Sequence, residues 1–270
     1  MSEVVTKSVE AGVAVLTLNR PDRLNAWTPE LGSTYFDLLE ECAADPDVRV
    51  IVVTGAGRGF CAGADMQDLQ AIGAGEIDQA ERRADERPQS FTTTIPKPII
   101  AAINGPVAGI GLALALMCDI RFIADDAKVT TAFARRGLIG EYGMAWILPR
   151  LVGPAAAMDL LFSGRVILGS EAAEMGLANR SVPGDQLLDE TLAYARELAT
   201  WSSPASMAVM KQQVYADLER GLETGYGQAI RLMLESFERP DFAEGVAAFV
   251  EKREPGFAGV SRPAGEPVPQ

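Results

Sequence analysis

Twice in this chain an apolar, strand-like run turns through glycines and opens a helix, and that repetition restricts the available folds more than any other feature. Residues 48–53 run into TGAGRG and then GRGFCAGAD (57–65); residues 96–103 run into NGPVAGIGLALAL (104–116). Short continuous apolar strands are buried on both faces, which points to a parallel sheet in an α/β core. A helix that starts on a glycine turn leaves backbone N–H groups unpaired at the positive end of its dipole. One such turn is commonly a packing device. Two of them permit a pair of N–H donors to converge on one oxygen, as an acyl group requires when it gains negative charge. Neither turn fits a Walker A loop or the GxGxxG spacing.

The rest of the chain reads consistently with that core. VVTKSV and VAVLTL flank a turn at 10–12 and predict a β-hairpin. Residues 29–42 predict a helix with Thr28 as N-cap and Pro29 at its first position, and a further helix is expected over 65–72. Short strands are expected at 120–123 and 128–132. From residue 154 onward helices dominate: Ser170 is expected to cap one, Pro204 to open another running to 218, and DFAE (241–244) to act as an acidic variant of a capping box. Residues 74–90 are charged and poor in large apolar groups, as expected of a mobile loop or solvated helix that covers a substrate tail. Three segments follow: a core over 1–200, a helical region over 201–260 and a flexible tail over 261–270.

There is no histidine in the 270 residues. Ser–His–Asp and Cys–His hydrolysis are therefore excluded, as are His-ligated zinc sites. Proton transfer near neutral pH must use a carboxylate, Tyr, Lys, Cys or water. The net charge of −13 argues against general nucleic-acid binding and against docking on anionic membranes. Three scattered cysteines without a CxxC make a disulfide framework or metal site unexpected, and with no leader-like N-terminus they point to the cytoplasm.

The segments NRPDRLNAW (19–27), GRGFCAGADM (57–66), KPIIAAINGPVAGIGLALALMCDIRFIA (97–124), LPRLVG (148–153) and DFAEGVAAFVEKR (241–253) occur in the order found in the crotonase, or enoyl-CoA hydratase/isomerase, family. The chain resembles that family over almost its whole length. The resemblance implies an α/β spiral of ββα units with a helical C-terminal oligomerisation region, forming trimers or paired trimers. It implies an acyl-CoA substrate, with coenzyme A carried by the substrate and no separate cofactor or metal. Matched position by position, the backbone amides of Ala64 and Ile110 would hold the thioester oxygen. Arg23, Ala62 and Asp65 would lie along the coenzyme, with Met66, Gly109, Tyr142 and Trp146 around the substrate. Phe249 and Lys252 would reach the nucleotide, often from a neighbouring subunit. For Arg23 and Lys252 the plain alternative is surface charge, and for Phe249 it is core packing.

One departure stands out. Hydratases of the family use two glutamates to hold and split water; the matching positions here are Ala113 and Arg136. Neither alanine nor a permanently protonated arginine can transfer a proton. Glu141, just after GLIG, matches the place where some isomerases of the family carry their single acid. One base over an oxyanion site is enough to move a double bond, and packing among Ile139, Tyr142 and Trp146 is expected to shield it. The structural alternative for Glu141 is an ion pair with Arg135, Arg136 or Arg150. Competing functions are an atypical hydratase, thioester hydrolysis, C–C cleavage, decarboxylation, or acyl-CoA binding without catalysis. Cys61 beside the first loop is expected to be packing, and Asp119 structural.

Overall fold

The computed structural model describes residues 3–75 and 87–262. The expected hairpin forms: β1 (Val5–Glu10) and β2 (Val13–Leu18) pair antiparallel, with Val5 opposite Leu18. Thr28 caps α1 (Pro29–Ala44) by accepting the Leu31 N–H, and Pro29 takes the first position. This helix buries Leu31, Tyr35, Phe36, Leu39 and Cys42, one stripe at helical spacing, and packs on β1 and β2. The first glycine loop then follows β3 (Val50–Gly55) and leads to α2 (Met66–Gly73). Of the segment expected to be a loop, 76–86 lies outside the described residues, and its end enters a 3-10 turn at Gln89–Thr94.

The second loop follows β4 (Ile99–Ile103), includes the short β5 (Val107–Ala108) and opens α3 (Gly109–Met117). Every residue of β3 and β4 is buried, so their sequences are apolar without alternation, save Thr54, whose hydroxyl donates to the Ala102 carbonyl. All of Ile110–Met117 is buried as well, which is why α3 is apolar all round. Next come β6 (Ile120–Ala124), β7 (Lys128–Thr130), the long α4 (Met144–Ser163), β8 (Ile167–Leu168), α5 (Gly169–Glu174) and β9 (Arg180–Val182). The main sheet has the order β1-β2-β3-β4-β6-β9, parallel from β2 onward, and β5-β7-β8 form a second small sheet. By length and composition α4 could cross a membrane. Gly153 (φ 77°, ψ 160°) breaks it, however, and each piece is well short of the ~20 residues a span needs.

The helical end comprises α6 (Leu187–Trp201), α7 (Pro204–Asp217), α8 (Leu222–Phe237) and α9 (Pro240–Glu251). α6 lies over β2, β3, β4 and β6. Two expected caps are replaced. Leu168, in extended backbone (φ −89°, ψ 162°), is the N-cap of α5, because the helix already starts at Gly169 and takes Ser170 into its first turn. DFAE is not a capping box: α9 starts after Arg239, Asp241 accepts from the Ser203 hydroxyl, and Glu244 binds Arg253 and the Gly256 N–H. Arg262 is held by its N–H on the Ala43 carbonyl; the remainder of the expected tail, 263–270, is outside the described residues.

Asp119, for which the sequence suggested no bonding role, ties α7 to the core. It accepts from the Ile99 N–H (2.8 Å), Lys211 Nζ (2.8 Å) and the Tyr215 hydroxyl (3.3 Å). The Lys211 side chain is 7% exposed and that of Asp119 19%. Breaking a fully buried pair costs ~3–5 kcal/mol; allowing for the exposure of Asp119, Lys211→Met is expected to destabilise by about 2–3 kcal/mol. Urea unfolding checks this, and an unchanged midpoint would make the pair a passive contact.

Candidate active site

The two glycine loops are laced together by their backbones. The amides of Phe60 and Cys61 donate to the Pro106 carbonyl (3.2 and 3.3 Å), and the Ala108 N–H donates to the Cys61 carbonyl (3.0 Å). This approach leaves no room for a side chain at Gly111, where a Cβ would lie 2.3 Å from the Cys61 carbonyl oxygen. Gly109 starts α3 at φ +51°, a left-handed conformation that L side chains rarely adopt.

On the other side, Trp27 brackets Ala64: its N–H donates to Gly63 O (2.8 Å) and its carbonyl accepts from the Asp65 N–H (3.2 Å). In a parallel bridge of this kind the central residue's own N–H points away from the partner strand. Ile110 is the second residue of α3, so its N–H precedes the first intrahelical bond. Among the described residues neither amide meets an acceptor. Ala64 and Ile110 both line one cavity of about 250 Å³. A space of that size takes the reacting end of a thioester and leaves the rest of a coenzyme outside it.

Arg23, Ala62, Asp65, Met66, Gly109, Glu141 and Tyr142 line the same cavity, so the structure gathers nine of the twelve expected residues. Trp146, Phe249 and Lys252 are not among its lining. Trp146 is engaged elsewhere: its indole N–H donates to Glu219 (3.0 Å), and the Arg150 guanidinium lies 4.0 Å over its ring. Phe249, 87% exposed, and Lys252 sit at the end of α9. The shield expected around Glu141 is more open than the sequence suggested, since Ile139 is 77% exposed and Tyr142 is exposed as well. Glu141 itself is half-buried, in the turn leading to α4, where Tyr142 (φ 56°) and Gly143 (φ 76°) are both left-handed. Left-handed backbone at a non-glycine residue is strain of the kind that concentrates at functional sites.

The two lost glutamate positions differ in fate. Ala113 is fully buried and absent from the cavity wall; Arg136 is on the wall. Asp65 is N-cap of α2, and the Gln67 N–H, followed by Arg20, holds its carboxyl below the usual range. Several residues that organise the site were quoted in the motifs without a role. The buried Asn25 amide bridges Ala56 O and Gly59 O and accepts the Arg20 N–H. Asn104 bonds Gly55 and Gly57. Arg20 reaches Asp65 and the Ala26 carbonyl. NRPDRLNAW is thus the clamp on the first loop. No cluster that could ligate a metal occurs among the described residues.

The family profile described as enoyl-CoA hydratase/isomerase matches residues 8–260. With the paired glycine loops and the spiral sheet, this assigns the class: the chain belongs to the enoyl-CoA hydratase/isomerase family of the crotonase superfamily. It is 36% identical over 262 residues to the 1,2-epoxyphenylacetyl-CoA isomerase of Escherichia coli K12, covering 96% of this chain and 100% of that protein. A crystal structure of a probable enoyl-CoA hydratase/isomerase from Mycobacterium abscessus matches with TM-score 0.87 at 33% identity, over 94% of this chain and 98% of that one. An enoyl-CoA hydratase from Mycobacterium marinum is 49% identical, with TM-score 0.70 over 81% of this chain and 100% of the other.

The cysteine beside the loops is fully buried. Burial pushes the Cys61 thiol up to about 11, Cys42 to about 11 and Cys118 to about 12. At neutral pH all three should be silent toward a thiol reagent such as DTNB until the chain unfolds. A fast-reacting native thiol would contradict this packing.

Proposed function

We propose that this enzyme is an enoyl-CoA isomerase that shifts a 3-enoyl thioester into conjugation. The thioester oxygen would sit on the Ala64 and Ile110 amides. Glu141 takes the C2 proton, the electron pair moves into the enolate, and the same carboxylic acid returns the proton at C4 as the double bond forms between C2 and C3. Preorganised donors of this kind are typically worth ~3–4 kcal/mol each toward the enolate.

The observation that carries this reading is the set of acids on the cavity wall. Among the described residues only Asp65 and Glu141 line it, and Asp65 is engaged by Gln67 and Arg20. Glu141 is the other acid on that wall, at the position where the resemblance puts the single acid of some isomerases. Water addition is disfavoured because Ala113 is sealed in the core and Arg136 is permanently charged. The naming of the E. coli relative as an isomerase supports the same choice.

The reaction needs no cofactor, and we place it in the cytoplasm. Arg23 would meet the coenzyme within one subunit. Phe249 and Lys252 would reach it from a neighbour in a trimer or hexamer, a role that suits their exposed position at the end of α9. The exposed apolar side chains of α8 and α9, among them Leu222, Tyr226, Leu234 and Val250, supply a surface for that assembly.

The decisive assay is conversion of a trans-3-enoyl-CoA to the conjugated ester, followed by absorbance and product mass. Glu141→Gln should lower kcat by ~100-fold or more while the thioester still binds. Full turnover in Glu141→Gln would remove the carboxylate from the mechanism, and efficient hydration of a trans-2-enoyl-CoA would replace isomerisation by water addition.

A further inference from the structure

We propose that Arg136 is a specificity-determining residue and that the preferred acyl group carries a carboxylate. The inference deepens the reading above, since it takes the cavity to be the acyl-thioester site. Its starting point is the asymmetric treatment of the two adjacent arginines. Arg135 is a brace: its Nε donates to the Ser163 carbonyl (2.7 Å), and its side chain lies against Gly164 at the end of α4. Arg136 is on the cavity wall instead, held by one bond from Nη1 to the carbonyl of Ala132 (3.2 Å).

The anchor for that bond is itself fixed. Ala132 lines the cavity in a left-handed conformation (φ 60°), its N–H donates to the Thr130 hydroxyl, and Gly137 (φ 69°) ends the short turn that carries Arg136. Arg136 has no acidic partner among the described residues, although the chain holds 37 acidic side chains against 24 basic ones and neighbours such as Arg20, Arg150 and Arg165 are paired. Arg136 is exposed to solvent on that wall, and its guanidinium is a planar fork of donors, the geometry that matches a carboxylate with two parallel hydrogen bonds.

The surroundings fit that ligand. Leu138, Phe133 and Met66 give the cavity apolar wall for the methylene stem, while the thioester end belongs to the Ala64 and Ile110 amides. With a neutral acyl tail Arg136 would face only methylene groups. With a dicarboxylic acyl group it gains a charge-assisted pair, so the chemistry points to half-thioesters of dicarboxylic acids. An open ion pair alone would give a preference of only a few-fold. Bidentate geometry against a wall covered by bound ligand should raise that to about 10-fold.

The test is calorimetric binding of saturated thioesters, from malonyl- to adipoyl-CoA, set against the methyl-terminated ester of the same length. The expected result is a preference of about 10-fold for the carboxylated ester at one length, abolished in Arg136→Met and partly kept in Arg136→Lys. No preference at any length in the native enzyme overturns the proposal, as does a preference that survives Arg136→Met. Thermal melts show that each variant is folded, and the native comparison stands without any variant. Saturated esters are not turned over, so this outcome is separate from that of the Glu141 experiment. Isomerisation without carboxylate preference removes the Arg136 role alone, and preference without isomerisation removes the Glu141 role alone.

Discussion

The backbone lacing of the two glycine loops is the contact on which the rest of the site depends. Three hydrogen bonds join Phe60, Cys61, Pro106 and Ala108, and they close only because Gly111 presents no Cβ to the Cys61 carbonyl. That contact lays the start of α3 beside the strand-like segment containing Ala64. Ala64 and Ile110, from different parts of the chain, thereby line one cavity. Backbone donors fixed by a sheet and a helix need no reorganisation when charge appears, which makes them effective against a developing oxyanion.

Polar side chains hold this arrangement from behind. Asn25 and Asn104 satisfy carbonyls of the first loop and Arg20 satisfies that of Ala26 beside it; a buried carbonyl left without a partner costs about 1–3 kcal/mol. Lys97 does the same at the end of α1, where its buried ammonium donates to the Cys42 and Asp45 carbonyls. Asp119 joins β4 to α7. The conformational strain at Leu24, Asn25, Ala132 and Tyr142 is tolerated because these bonds and the surrounding core over-determine the loops.

Against this scaffold, Ala113 and Arg136 stand at the two positions matched to the hydratase glutamates, and the fold is unchanged. Alanine at 113 lets α3 be sealed on every side, and arginine at 136 places a permanent cation on the cavity wall. The cavity wall instead carries a carboxylate at Glu141, in the turn before α4. The same scaffold thus carries a different side-chain set, and function is read from that set, not from the sheet.

Much of this was legible in the residues alone. Continuous apolar runs marked β3 and β4, Thr28 and Pro29 marked the start of α1, and the order of motifs marked the family, because burial period and turn chemistry are local properties. The partners of individual side chains were not. Trp146 looked like part of the substrate wall and instead binds Glu219, 73 residues away; Asp65 is held by Arg20, 45 residues away. DFAE looked like a cap and was divided between Ser203 and Arg253. A sequence determines which faces must be buried and where the chain can turn, since those preferences act within a few residues. Which charged group meets which partner, and which reaches the cavity, is decided when distant segments pack, since only then do competing donors and acceptors come within bonding distance.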